Sequence, residues 1–251
     1  MCWNKEVSLV TFLVVIIIVI ILYTRNVGSD RHLAIFSAIV VTVQLLEFFV
    51  CLSIENGDKN MNSLVTRLIL IVLWLQPLIN TIMAYNDVNR EDCKDDGDRI
   101  NNKWKKAILV ICFIVFGALA INGIVNSTKG KFSSRPGPGC HLIWKRKVKG
   151  VKTERLTGNK YMVLIYLIGL TLPLLLMKPF LKAFSLVVLG LILLVISKLI
   201  SSPKESSSWW CWIAFVFVIA AYFYCAPFDN KKKEQESDNQ TESEKNDNFS
   251  F

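Results

Sequence analysis

Long apolar blocks alternate with short polar segments along this chain, and the alternation predicts its architecture. Seven blocks approach the length of about 20 residues that a helix needs to cross a bilayer. They cover residues 7–23, 33–54, 64–85, 107–125, 161–177, 180–200 and 209–224. The first block is not followed by a small-residue cleavage site, so we expect it to be retained. The pattern therefore predicts an all-α integral membrane bundle of seven transmembrane helices within residues 1–228.

The polar segments differ in character. Residues 126–160, between the fourth and fifth helices, form the longest internal loop, and basic residues alternate with valine and threonine from Lys145 to Arg155. This alternation is typical of a small hairpin lying on the membrane surface. Residues 229–251 are charged and almost free of apolar side chains, so we expect a disordered tail.

The second and third helices carry polar residues inside their apolar blocks. Gln44 and Glu47 are three positions apart and therefore share one helix face. A carboxylate within hydrocarbon is costly unless it is paired or hydrated. Counting residues from the helix ends places Glu47 close to Arg67 of the next helix, and we expect the two side chains to pair.

A proline lies in the middle of the third helix. Pro77 lacks an amide hydrogen and leaves a carbonyl of the preceding turn without its donor, and Gln76 or Asn80 could satisfy such a carbonyl. We refer to the polar residues of these two helices as the polar seam. It is a candidate site for a solute or an ion, or else a set of polar contacts that hold the helices together. Its members are Gln44, Glu47, Arg67, Gln76 and Asn80.

Seven crossings would place the two ends of the chain on opposite sides. We call the side of the N-terminus the first face; it also receives residues 55–63, 126–160 and 201–208. The basic cluster at 145–155 favours a cytosolic first face, with the tail on the other side. The sequons at Asn239 and Asn248 would be usable if the tail lies outside the cytosol. His32 falls at the opposite, second face.

A second group of residues converges on the first face from distant parts of the sequence. These first-face residues are Cys2, Trp3, Cys140, His141, Trp144, Trp210, Cys211 and Trp212. They would line a polar vestibule under the basic loop, or they would form an interfacial tryptophan belt with ordinarily packed cysteines, which is the commoner arrangement. A disulfide among Cys2, Cys140 and Cys211 requires an oxidising compartment.

Three stretches of the sequence are distinctive when taken together: Met1-Cys-Trp-Asn4, Gln44-Leu-Leu-Glu47 with Gln76-Pro77, and Gly139-Cys-His-Leu-Ile-Trp144 with Trp210-Cys-Trp212. In this order and spacing they resemble a family of uncharacterised multi-pass membrane proteins of giant, nucleocytoplasmic large DNA viruses. The resemblance implies a viral protein of viral or host membranes without established chemistry, and it implies that the first-face motifs belong to one site. Cys140 departs from the pattern, which has a more polar residue there.

The net charge of +9 lies in the loops beside the apolar blocks. Such a distribution suits anionic lipid headgroups near 145–155 better than nucleic acid. The seven cysteines have no zinc spacing, so we expect no metal and no cofactor.

Two functions from different classes fit this pattern. One is a conduit or carrier for a small solute, a proton or an ion through the polar seam. The other is a structural or scaffolding protein that holds anionic lipid with its basic loop and a protein partner with its tail. An enzyme is less favoured, because neighbouring Cys140 and His141 do not form a dyad by sequence adjacency.

The proposed pairing of Glu47 with Arg67 predicts a specific pattern of stability. Glu47→Ala would leave Arg67 without its partner and destabilise the bundle. The double change Glu47→Gln with Arg67→Gln would be milder because no buried charge is left uncompensated. Thermal unfolding in detergent measures both variants, and a double variant as unstable as the single one would contradict the pairing.

Overall fold

The computed structural model describes residues 5–26, 29–89, 99–128, 131–136, 142–147, 154–155, 160–176 and 180–200, with Val216, Val218, Ile219 and Tyr222. Helices make up most of it. The helices are α1 Lys5–Arg25, α2 Asp30–Glu55, α3 Lys59–Asn89, α4 Arg99–Thr128, α5 Lys160–Leu175 and α6 Phe180–Ile200. The strands are β1 Lys131–Pro136, β2 Leu142–Lys147 and β3 Glu154–Arg155.

Four helices are long enough and apolar enough to cross a membrane. They are α1, α2, α3 and, within α4, Asn102–Thr128. At 1.5 Å per residue, the 26 residues of α2 extend about 39 Å, which exceeds the hydrocarbon thickness of about 30 Å. Shorter apolar stretches are described in α5 and α6, at Leu164–Leu175 and Ala183–Leu193. The helical, membrane-type character expected from the sequence is confirmed at this level.

All four of these helices extend further than the apolar blocks predicted. α2 begins at Asp30, so His32 lies in its first turn, and α3 continues to Asn89. The polar segment 86–106, between the third and fourth apolar blocks, is predicted from the sequence to be a loop. This prediction is wrong at both ends, because α3 continues to Asn89 and α4 already begins at Arg99. The blocks ended at the last apolar residue, whereas Asp87 remains helical and buried through a contact described below.

Ion pairs mark the two ends of the antiparallel α1–α2 pair. Lys5 Nζ lies 2.5 Å from Glu55 Oε2 at the first face, and Arg25 Nε lies 2.5 Å from Asp30 Oδ2 at the second face. The turn into α3 passes through Gly57, whose φ of +67° favours glycine. Asp58 Oδ1 then accepts hydrogen bonds from two backbone amides of the first turn of α3.

The segment between α4 and α5 contains a three-stranded antiparallel sheet in the order β1-β2-β3. Its second pairing joins Lys145 to Arg155, within the segment where the sequence predicted a hairpin, and β1 adds a strand before it. Along β1, Phe132 and Ser134 are buried whereas Ser133 and Arg135 are exposed. β1 packs against the beginning of α3, which places the sheet at the first face.

Two apolar clusters hold the helices together. The larger joins α1 and α2 to α5 and α6, and it includes Val218 of the last described segment. The smaller lies between α2 and α3 near the first face and contains Val43, Val50, Val65 and Ile69. Many apolar side chains of α1 and α4 remain outward, such as Ile17 and Ile114, in keeping with helices that face lipid.

Helices α3 and α5 approach most closely where a proline meets a glycine. A Cβ atom placed on Gly169 would lie 2.6 Å from Pro77 Cβ and 2.7 Å from Phe116 Cε1. Such distances are too short for real carbon atoms, and the proline ring cannot rotate away. The absence of a side chain at Gly169 therefore permits this crossing.

This crossing predicts unequal effects of two glycine substitutions. Gly169→Ala is expected to destabilise the bundle by about 1–3 kcal/mol, because α5 must move away from Pro77 and Phe116. Gly117→Ala in α4 is the matched control, since its new Cβ would meet only Leu78 Cδ1 at 3.9 Å. Thermal unfolding in one detergent compares the two, and equal midpoints would contradict the close approach.

Candidate functional site

One buried face of α3 carries polar residues near both ends of the helix, with apolar Ile69 and Leu70 buried between Thr66 and Gln76. Its buried polar residues are Asn62, Thr66, Gln76, Asn80, Thr81 and Asp87. Most of the spacings between them are close to multiples of one helical turn, so the residues follow one side of the helix. The 25 residues from Asn62 to Asp87 correspond to about 38 Å along the axis. The buried polar residues therefore form two groups, one near each face of the bundle, and about 15 Å of helix separates Thr66 from Gln76.

Near the first face this polar surface holds the sheet. Asn62 Oδ1 accepts from the Ser134 amide at 2.8 Å, and Asn62 Nδ2 donates to the Ser134 carbonyl at 3.1 Å. The Thr66 hydroxyl lies 2.7 Å from the Ser134 hydroxyl. These three contacts satisfy the groups at this end, so Asn62 and Thr66 have a structural role.

Near the second face, His32 of α2 lies between two residues of α3. Its Nδ1 is 3.0 Å from Asp87 Oδ2 and its Nε2 is 2.8 Å from Asn80 Oδ1. The imidazole is fully buried. His32 and Asp87 therefore form a titratable pair that is nearly removed from water.

Asn80 also connects this pair to α5. Its Nδ2 donates to the carbonyl oxygens of Gly169 at 3.2 Å and Leu170 at 3.0 Å. Pro173 explains why an acceptor is available there, because it lacks the amide that would bind the Gly169 carbonyl four residues earlier. The expectation that Asn80 satisfies a carbonyl freed by Pro77 in its own helix is not what these contacts show: Asn80 serves a carbonyl freed by Pro173 in α5.

One turn closer to the first face, Gln76 contacts α5 as well. The Tyr166 hydroxyl donates to Gln76 Oε1. Gln76 is fully buried, and its Nε2 has no hydrogen-bond acceptor in the described part of the chain. A buried donor without an acceptor carries a desolvation penalty of about 1–3 kcal/mol.

The remaining members of the polar seam lie nearer the first face. Gln44 and Glu47 are buried in α2, and Arg67 is half-buried in α3. Glu47 lies eight residues before Glu55 and Arg67 eight residues after Lys59, so each is about 12 Å from the turn that joins the two helices. Their pairing remains a prediction that this common level favours.

The first-face residues fall almost entirely outside the described residues. This applies to Cys2, Trp3, Cys140, His141, Trp210, Cys211 and Trp212. Trp144 lies in β2 opposite Ser134, and its side chain is not among those described. The vestibule therefore stays a prediction.

We call the buried group His32, Asp87, Asn80, Gln76 and Tyr166 the polar centre. Three of its residues, His32, Asp87 and Tyr166, are not predicted as site residues from the sequence. His32 was assigned to the second face without a role, and Asp87 to a loop. One signal was available, because Gln76, Asn80 and Asp87 lie at spacings of four and seven residues and continue one helix face. Nothing in the sequence points to Tyr166, which reaches Gln76 from a helix 90 positions away.

The chemistry of this centre is that of proton and hydrogen-bond exchange. It combines an imidazole, a carboxylate, a phenol and two amides. In the described ranges, no group of three or more histidine, cysteine, aspartate or glutamate side chains is arranged to hold a metal ion.

Comparison with known proteins does not identify a function, so a function has to be inferred from the structure. No family model matches the sequence, and no curated protein matches it. The buried polar residues of α3 and their contacts are therefore the basis for a function.

Asn80 is expected to be the most sensitive amide of α3. Asn80→Ala removes the acceptor of His32 Nε2 and the donor of two α5 carbonyls, so we expect a loss of about 3 kcal/mol in stability. Asn89→Ala is the matched control, because exposed Asn89 donates only to Tyr85 of its own helix. Thermal unfolding would contradict the role of Asn80 if both variants lost stability equally.

Proposed function

We propose that the chain is a multi-pass integral membrane protein with seven crossings. The four long helices carry the first part of this proposal, and α5 and α6 continue the bundle. A seventh crossing is supported by helical Val218 in the main core and by Tyr222, whose ring lies 5.9 Å from the Arg25 guanidinium at the second face. The N-terminus and the tail would then lie on opposite sides.

We propose that its function is to conduct or carry a proton or a small solute along α3. The observation that carries this proposal is the set of buried polar residues on α3, among which Gln76 Nε2 has no acceptor within the described residues. In a helix that crosses hydrocarbon, a buried polar group without a partner is costly. A passing solute with an acceptor oxygen, or a water molecule, would satisfy that donor.

The polar seam and the pair of His32 with Asp87 supply titratable groups at two levels of the pathway. Glu47 is buried in the half nearer the first face, and His32 with Asp87 lies near the second face. Gln76 and the Tyr166 hydroxyl lie between them. Proton transfer between such groups requires bridging water or a carrier that alternates its access, and intramembrane ionisable residues commonly mark such pathways.

A scaffolding function is the second candidate, and the sheet favours it. Directly opposed residues of antiparallel strands share one face of a sheet. The register therefore places five cationic positions on the face of the sheet that carries exposed Ser133. These positions are Lys131, Arg135, Lys145, Lys147 and Arg155. Such a face at the end of the bundle would hold anionic lipid headgroups. A protein partner for the tail belongs to the same proposal.

The proposal also covers the source of the protein and the membrane in which it lies. The resemblance of the sequence to membrane proteins of giant viruses suggests a viral membrane or a host membrane during infection. The basic face of the sheet favours a cytosolic first face, since positive charge accumulates on the cytosolic side of membrane proteins.

The conduit predicts a flux that depends on Glu47. Purified protein in liposomes should carry a proton or cation flux, and Glu47→Gln should reduce it at least about tenfold by removing the only titratable group at that level of α2. Glu6→Gln is the matched control, because Glu6 is exposed at the start of α1. Circular dichroism and gel filtration verify that all three proteins are folded.

The outcomes separate the two candidates. Flux in the wild type and in Glu6→Gln, with loss in Glu47→Gln, supports the conduit. Equal flux in all three excludes Glu47 from the pathway. Folded wild-type protein without flux overturns the conduit and favours the scaffold.

A further inference from the structure

The buried contacts of His32 with Asp87 and Asn80 support an inference about proton binding near the second face. This inference deepens the proposed function and rests on it for its physiological meaning, because a proton pathway needs a site that binds and releases protons. Its geometry can nevertheless be tested in protein that conducts nothing.

The orientation of the Asn80 amide is fixed by what lies on each side of it. Its Nδ2 faces two carbonyl oxygens, those of Gly169 and Leu170, and carbonyl oxygens only accept hydrogen bonds. Asn80 Oδ1 therefore faces His32 Nε2, and this ring nitrogen must donate.

The other ring nitrogen faces an acceptor too. His32 Nδ1 lies 3.0 Å from an oxygen of Asp87. A neutral imidazole has one donor and one acceptor nitrogen, so it cannot donate to both partners. The contacts are complete when the pair holds one additional proton, either as imidazolium with carboxylate or as neutral imidazole with a protonated carboxyl. In both forms the pair has no net charge.

We propose that His32 and Asp87 form a proton-binding site whose occupancy is transmitted through Asn80 to the backbone of α5. When the proton leaves to water at the second face, a single N–H remains on the ring. If it remains on Nδ1, the lone pair of Nε2 faces the lone pairs of Asn80 Oδ1 at 2.8 Å. If it remains on Nε2, the lone pair of Nδ1 faces an anionic carboxylate.

Rotation of the Asn80 amide relieves the first of these contacts. The rotated amide presents Nδ2 to His32 Nε2, but its oxygen then faces the carbonyls of Gly169 and Leu170. Both hydrogen bonds to α5 are lost, and the Gly169 carbonyl has no substitute donor because Pro173 lacks an amide hydrogen. In this Nδ1–H form, proton release breaks the two hydrogen bonds from Asn80 to α5, close to the point where Gly169 meets Pro77.

The charged surroundings leave this relation intact. From α1, Arg25 is paired with Asp30, with Nη2 at 2.7 Å from Oδ1. From α2 itself, the Arg31 guanidinium lies 5.5 Å from the centre of the Tyr23 ring. From α3, Asp87 is the charged partner, and α5 offers only backbone oxygens to Asn80. Arg25 and Asp30 compensate each other, so among the described residues packed around this pair the proton of His32 and Asp87 is the charge that changes.

Nuclear magnetic resonance of the full chain in lipid tests the site directly. The chain has two histidines, so His141→Gln leaves His32 as the only source of imidazole ¹⁵N signals. Glycine labelled with ¹³C at the carbonyl and leucine labelled with ¹⁵N select the two Gly-Leu pairs, Gly169-Leu170 and Gly190-Leu191. The pair in α6 is the internal control, and Gly190→Ala assigns it.

The expected result is a proton on His32 Nε2 throughout the lower part of a pH titration. As the pair loses its proton, the Gly169 carbonyl signal should shift in the same transition, while the Gly190 signal should not. Asn80→Ala should abolish the response of Gly169, whereas Thr81→Ala should retain it, because Thr81 donates only to Pro77 of its own helix.

Two results would overturn the proposal. One is a neutral imidazole in the proton-bound state that carries its hydrogen on Nδ1 and leaves Nε2 unprotonated. The other is a Gly169 signal that stays constant while His32 titrates. If Asn80→Ala does not fold, the wild-type titration alone decides. A coupled titration in protein without flux supports the proton site and overturns only the conduit, whereas flux without coupling overturns only this inference.

Discussion

The carboxamide of Asn80 is the contact on which the centre of the bundle depends. Its oxygen lies 2.8 Å from His32 Nε2 of α2, and its nitrogen donates to two backbone carbonyls of α5. Three helices are thereby joined by one side chain. The arrangement is stable because Pro173 has already removed the donor that the Gly169 carbonyl would otherwise use. A polar side chain of one helix thus compensates a backbone defect of another.

Two prolines and one glycine set the distance over which this contact acts. Pro77 of α3 lies against Gly169 of α5, where any side chain on the glycine would collide. The close approach brings Asn80, one turn beyond Pro77, within reach of the α5 carbonyls. On the other side of Pro77, Gln76 meets Tyr166. The same crossing therefore positions both the satisfied amide and the amide with an unpaired donor.

Much of the candidate site could be read from the sequence, but not its partners. Polar residues within apolar blocks identified Gln44, Glu47, Gln76 and Asn80, and all four are buried. The same reasoning predicts a site between α2 and α3 that does not include α5, because α5 has few polar side chains. The contribution of α5 to the site is made by backbone oxygens that contact Asn80. Backbone acceptors have no signature in side-chain composition. Asp87 was assigned to a loop for a related reason, since apolar content does not show where a helix continues.

Sequence alone determined the long apolar helices, their antiparallel succession and the basic segment after α4, because these follow from the length and spacing of apolar blocks. It also located a polar face on α3. Only the tertiary structure decided that His32 lies between Asp87 and Asn80, that Asn80 serves the carbonyl freed by Pro173, and that the basic segment forms a sheet held by Asn62. These contacts join residues 48 to 89 positions apart. Local patterns specify which groups must be satisfied, whereas the packing of distant helices selects which groups satisfy them.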